Sequence, residues 1–177
     1  MSTKWRISSF SGVLLAAYFI PTWVLIAFRI MVSPVQGFFE RPNVSAAFFV
    51  GDYLQLASTG TVRAAWLLAL GRLTVAGFFA VFLVLVSLPR VRKAGGCNEA
   101  LAIALAIGSV ISFALMLMAS HVGEVQALRL HATELLMMLG TAIILTLEGP
   151  VQSQAKLDAN VGVGPLAPEQ PQLLNNS

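Results

Sequence analysis

Four stretches of this chain, residues 12–32, 62–88, 100–121 and 125–147, are long and almost unbroken in their apolar character. About 20 such residues cross the roughly 30 Å hydrocarbon core of a bilayer as a helix. No other feature limits the fold as strongly, because a segment in lipid must satisfy its own backbone hydrogen bonds, and a helix does so within itself. Composition agrees. Charged residues make up 11% of the chain and hydrophobic ones 57%, with a mean hydropathy of +0.81, whereas a soluble domain averages roughly 25% charged. Too few polar groups remain to coat a water-facing surface. The expected fold is all-α: an integral membrane four-helix bundle over residues 1–147, followed by a disordered cytoplasmic tail, 148–177, rich in Pro, Gly and polar residues without periodicity.

The apolar run of the first span is too long for a signal peptide and lacks a small-residue exit, so it is expected to stay in the membrane. Short-loop Lys and Arg mark the cytoplasmic side. Lys4 and Arg6 precede the first span, and Arg90, Arg92 and Lys93 follow the second. With four spans these positions share one side, which places both termini in the cytoplasm, in a bacterial inner membrane. Arg41 and Arg63 in the outer loop oppose that reading. The excess of three positive charges is small and carries no nucleic-acid footprint. A lone cysteine, Cys97, excludes an internal disulfide.

The outer loop opens on "SPVQGFFERP", read as turns around Pro34, Gly37 and Pro42. "NVSAAFFVGDYLQLAS" then reads as a helix capped by Asn43, with Ser45, Asp52, Gln55 and Thr59 near one face and Phe48, Phe49, Leu54 and Leu56 filling much of the rest. An interfacial helix on the outer leaflet is expected there; a lid over a cavity between the spans is the alternative.

Small residues let membrane helices approach closely. Ala100, Ala104, Gly108 and Ser112 recur every four residues and form one ridge on the third span; Ala76 and Ala80 make a shorter one on the face that bears Arg72. Pro21 predicts a kink in the first span.

The charges inside the spans carry what the sequence says about function. Counted from the outer side at 1.5 Å per residue, Arg72 and Glu134 both lie about 15 Å deep. An arginine at that depth costs about 2.5 kcal/mol or more unless it is answered, so a buried Arg72–Glu134 ion pair is expected. His131 precedes Glu134 by three residues, on the same helical face. Arg129 snorkels to the interface. His121, Glu124, Asp52, Glu40 and Arg29 gather toward the same outer half. This cluster suits a structural pair, proton or ion handling, or ligation of a haem or a divalent metal by His121 and His131 with Glu124 and Glu134. Axial haem ligation is disfavoured because the two histidines differ in depth by about 10 Å.

No nucleophile elbow, phosphate-binding loop, dinucleotide fingerprint or zinc-protease motif is present. Trp5 and Trp66 fit an aromatic belt, and Met116, Met118, Met137 and Met138 read as core filler. The sequence therefore favours an accessory or structural subunit of a larger membrane complex, partnered by lipid and by other membrane subunits or copies of itself. A transport component using Arg72, His131 and Glu134 comes second, and a redox or metal-binding subunit third.

Overall fold

The computed structural model describes residues 7–55, 57–88 and 97–161. Trp5, Leu56 and the basic clusters Lys4/Arg6 and Arg90/Arg92/Lys93, on which the orientation rests, lie outside them. The chain divides into two units, Met1–Leu145 and Thr146–Ser177; the site described below belongs wholly to the first.

Every regular element among the described residues is helical: α1 (Ile7–Val32), α2 (Pro34–Phe38), α3 (Val44–Phe48), a π-helical turn (Phe49–Tyr53), α4 (Ser58–Ser87), α5 (Cys97–Val122) and α6 (Val125–Val161). Four segments are long and apolar enough to cross a membrane: Ile7–Val32, Ser58–Ser87, Asn98–Val122 and Val125–Glu148. Three contain the predicted span and extend it by one to five residues; the second starts four residues before the predicted one and ends at Ser87, one residue short, with Leu88 as its extended C-cap. Large apolar side chains point outward along all four; Leu14, Leu67, Val110 and Leu136 are each more than half exposed, as a lipid-facing surface requires. Pro21 lies inside the continuous α1; its missing N–H leaves the Ala17 carbonyl without its usual helical donor.

Two sequence expectations are corrected. The tail read as disordered from Glu148 is helical through Val161. The segment "VQSQAKLDANV" holds several good helix formers before the glycines and proline of 162–165; residues 162–177 lie outside the described part. The outer loop read as turns around Pro34 contains α2, with Pro34 in its first turn, where the absent N–H would have had no helical acceptor anyway. Beyond it α3 is short and gives way to the π turn, in which Leu54 N donates to Phe49 O five residues back. Gln55, at φ +46°, ends it. Asn43 does precede α3, but its side chain makes no cap. Its Nδ2 donates instead to the Gly37 carbonyl at 2.9 Å, tying α2 to α3.

α1 packs on α4 and α4 on α5, while α2 and α3 pack on the outer parts of these helices. Gly123, at φ +79°, closes α5: Glu124 N donates to Ala119 O, the long bond of a glycine-ended helix, and α6 begins at once. Buried side chains form two apolar clusters. One, around Phe19, Val75, Phe79, Phe82, Leu101, Leu105 and Met138, fills the inner part. The other joins Ala27, Ile30, Ala65, Ala69 and Leu115 of the long helices to Phe38, Ala46, Ala47 and Val50 of the loop.

Candidate functional site

Between those clusters lies a polar layer to which every long helix contributes. On α1, Trp23 is the last member of the inner cluster and precedes Ala27 of the outer one; on α4, Arg72 falls between Val75 and Ala69; on α5, Ser112 falls between Leu105 and Leu115. α6 supplies Glu134 and His131. Trp23, Arg72, Ser112, His131 and Glu134 are all at least 97% buried.

Glu134 is the hub. Trp23 Nε1 donates to its Oε1 at 3.3 Å, Ser112 Oγ donates to Oε2 at 3.4 Å, and His131 Nδ1 lies 3.0 Å from Oε2. His131 faces an acceptor on its other side too: Nε2 is 3.1 Å from the backbone oxygen of Pro42. A carbonyl oxygen can only accept, so the Pro42 contact is a hydrogen bond when Nε2 carries the hydrogen; for both contacts to be hydrogen bonds at once, Nδ1 and the carboxyl share one more proton. Either an imidazolium donates to a carboxylate, or a carboxylic acid donates to a neutral ring. In both forms the pair holds one proton more than a neutral histidine beside a carboxylate.

The expected Arg72–Glu134 ion pair does not form as drawn. Glu134 pairs with His131 instead, and the exposed Arg29 pairs with Glu40 at 3.1 Å. Arg72 and Glu134 meet through one indole. Arg72 Cζ lies 5.8 Å from the centre of the Trp23 ring, within range of a cation–π contact, while the same ring's N–H binds Glu134. Trp23 escaped the sequence reading because an indole is expected in a membrane protein. The signal was its depth: nine residues from the end of α1, about 14 Å below it, where a polar N–H needs a partner. Arg72 remains underused, since its Nε and Nη1 are buried without a hydrogen-bond partner.

The remaining predicted site residues lie elsewhere. His121 is exposed and flanked by the Phe49 and Tyr53 rings, 6.0 and 6.1 Å away. Asp52 and Arg129 are exposed and Glu124 is half-buried. No group of three or more His, Cys, Asp or Glu side chains arranged to hold a metal occurs among the described residues, and both ring nitrogens of His131 are engaged. Ala100, Ala104, Gly108 and Ser112 are all buried; Met138 Sδ lies 2.6 Å from where a Cβ on Gly108 would stand, so the Met138 side chain of α6 packs directly onto that glycine. Ser112 ends the ridge and also serves Glu134. Ala76 is buried but Ala80 is exposed, so the shorter ridge is not a continuous contact. Further in, Ser11 and Thr141 hydroxyls pair at 2.8 Å across α1 and α6, beyond the buried Met138.

Comparison of the chain with protein-family models, with curated proteins and with solved structures gives no match.

Proposed function

We propose that this chain is a four-helix membrane bundle whose mid-membrane polar layer binds and releases a proton, and that it works as a proton-handling component of a transport process. The observation that carries this reading is the position of His131 between two acceptors, the Glu134 carboxyl and the Pro42 carbonyl. An ionisable group at such depth is costly to keep and marks an ion or proton pathway.

The same geometry links the proton to the outer loop. Take the shared proton away and the ring keeps one N–H. The charge-assisted bond to the carboxylate is the stronger one, so that hydrogen goes to Nδ1. Nε2 then turns a lone pair toward the Pro42 oxygen, and attraction becomes repulsion. The segment 33–54, an interfacial helix pair in this reading, is thereby a lid latched while the proton is bound. With both termini in the cytoplasm of a bacterial inner membrane, as the basic residues at 4, 6, 90, 92 and 93 suggest, the lid faces outward.

A second reading is an accessory subunit in which the layer only sets helix register. Its support is that each long helix contributes to the layer and that apolar clusters flank it on both sides, which is how a buried polar group specifies an arrangement. Proteoliposomes separate the two. Under the first reading, wild-type protein dissipates an imposed pH gradient, and Glu134→Gln, still folded, does not. If the wild type conducts no better than empty liposomes, the proton reading fails. Native mass spectrometry in mild detergent then asks for other subunits held in fixed ratio.

A further inference from the structure

The polar layer has an uneven charge. Among the described residues its titratable members are Arg72, His131 and Glu134. With the shared proton in place, His131 and Glu134 together are neutral, whether written as imidazolium and carboxylate or as ring and acid. Arg72 is then a buried cation with no counter-charge. Buried charges persist only when paired, and two of its three nitrogens have no acceptor. The Trp23 face answers part of the charge but takes none of the N–H bonds. Removing the proton restores neutrality, because Glu134 becomes an uncompensated carboxylate within electrostatic range of Arg72.

From this arithmetic we infer that Arg72 binds a small monovalent anion when the His131–Glu134 pair is protonated. Proton and anion enter the layer together as a neutral pair, or both stay away. A guanidinium donates five N–H bonds and accepts none, so the ligand class is a compact acceptor such as a halide, nitrate or short carboxylate. The groups around the layer are Trp23 on α1, against both Arg72 and Glu134; Tyr18 on the same helix, within electrostatic range of Glu134; Ser112 from α5, on Glu134; and the Pro42 carbonyl from the loop, on His131. None of these supplies a negative charge at neutral pH.

The inference rests on the proton reading above, and one experiment separates their failures. Full-length protein carrying Trp5→Phe and Trp66→Phe keeps Trp23 as its fluorophore. It is titrated in detergent with sodium chloride, nitrate, formate or acetate at constant ionic strength, with gluconate as the balancing ion. Expected is a saturable change in Trp23 emission for at least one anion, strong at low pH and weakening as pH rises. Arg72→Gln should abolish it; if that variant does not fold, Arg72→Lys should weaken it at least about tenfold. Glu134→Gln, which mimics the protonated acid, should retain binding and lose the pH dependence. Chloride and nitrate against formate and acetate tell an inorganic from a carboxylate ligand. A flat response to all four, or an unchanged response in Arg72→Gln or Arg72→Lys, overturns the anion site. Saturable, Arg72-dependent binding that ignores both pH and Glu134→Gln upholds the anion site and overturns the proton reading.

Discussion

His131 Nε2 and the Pro42 carbonyl oxygen meet at 3.1 Å across 89 residues of sequence. This contact joins the second turn of α6 to the loop between α1 and α4. The loop also rests on the outer apolar cluster through Phe38, Ala46, Ala47 and Val50, so losing one bond loosens the lid without unfolding it. Ser45, within this loop, is fully buried on its inward face. In a Cys97→Ser background, Ser45→Cys should label with a membrane-impermeant maleimide slowly at low pH and faster as pH rises. One hydrogen bond at about 0.5–1.5 kcal/mol corresponds to a gain of roughly 2- to 10-fold. Adding Glu134→Gln should hold labelling at the slow rate across the range. A rate indifferent to pH would remove the latch.

Glu134 has three hydrogen-bond partners, and substitutions there should differ by what they leave unpaired. Glu134→Gln keeps an oxygen acceptor and should unfold within a few degrees of the wild type. Glu134→Ala strands the Trp23 N–H and the His131 ring in an apolar interior and should cost about 1–3 kcal/mol. Thermal unfolding in detergent, followed by circular dichroism, compares them; equal loss from both would mean that the carboxyl is held by its charge and not by its bonds.

Trp23 has two separable roles. Trp23→Phe keeps an aromatic face for Arg72 and removes only the donor to Glu134, for an expected loss of about 0.5–1.5 kcal/mol. Trp23→Leu removes the face as well and should cost a further 0.5–2 kcal/mol or so. Unfolding by a graded denaturing detergent gives the ordering, and a Leu variant as stable as the Phe variant would dismiss the cation–π contact.

Glycines give a sharp contrast. A Cβ on Gly37 would stand 2.7 Å from Ile30 N and 2.8 Å from the Arg29 carbonyl carbon. Those are backbone atoms that cannot step aside, so Gly37→Ala should cost about 1–3 kcal/mol and lift α2 from α1. Gly77 faces open space, and Gly77→Ala should be neutral or stabilise by up to about 1 kcal/mol through helix propensity. Paired melting curves test this; comparable behaviour of the two variants would refute the close approach.

What the sequence revealed follows from what repeats. Spans announce themselves by length, and counting residues at 1.5 Å each put Arg72 and Glu134 at one depth; in the structure both touch Trp23. The four-residue ridge on α5 was readable for the same reason. The indole between the charges was not, because nothing local distinguishes a tryptophan that bridges two ions from one that anchors at an interface. Nor was the second duty of Ser112, since its spacing advertises smallness and not its hydroxyl. The loop misled most: Pro34 and Gly37 read as breakers, yet one begins a helix and the other lets that helix lie against α1. Those roles come from a contact between segments, which no window along the chain contains.

The polar layer also has a history within each molecule's synthesis. Trp23, Arg72 and Ser112 enter the membrane with the first three spans; the carboxyl that accepts from Trp23 and Ser112 arrives with the last. Until then Arg72 has only the Trp23 ring to meet it, and the indole N–H has no carboxyl to accept from it. The fourth span is therefore the closing piece of assembly, and a ribosome that stops before Glu134 releases a product with an exposed flaw at mid-membrane, of the kind by which a cell can tell an unfinished chain from a finished one.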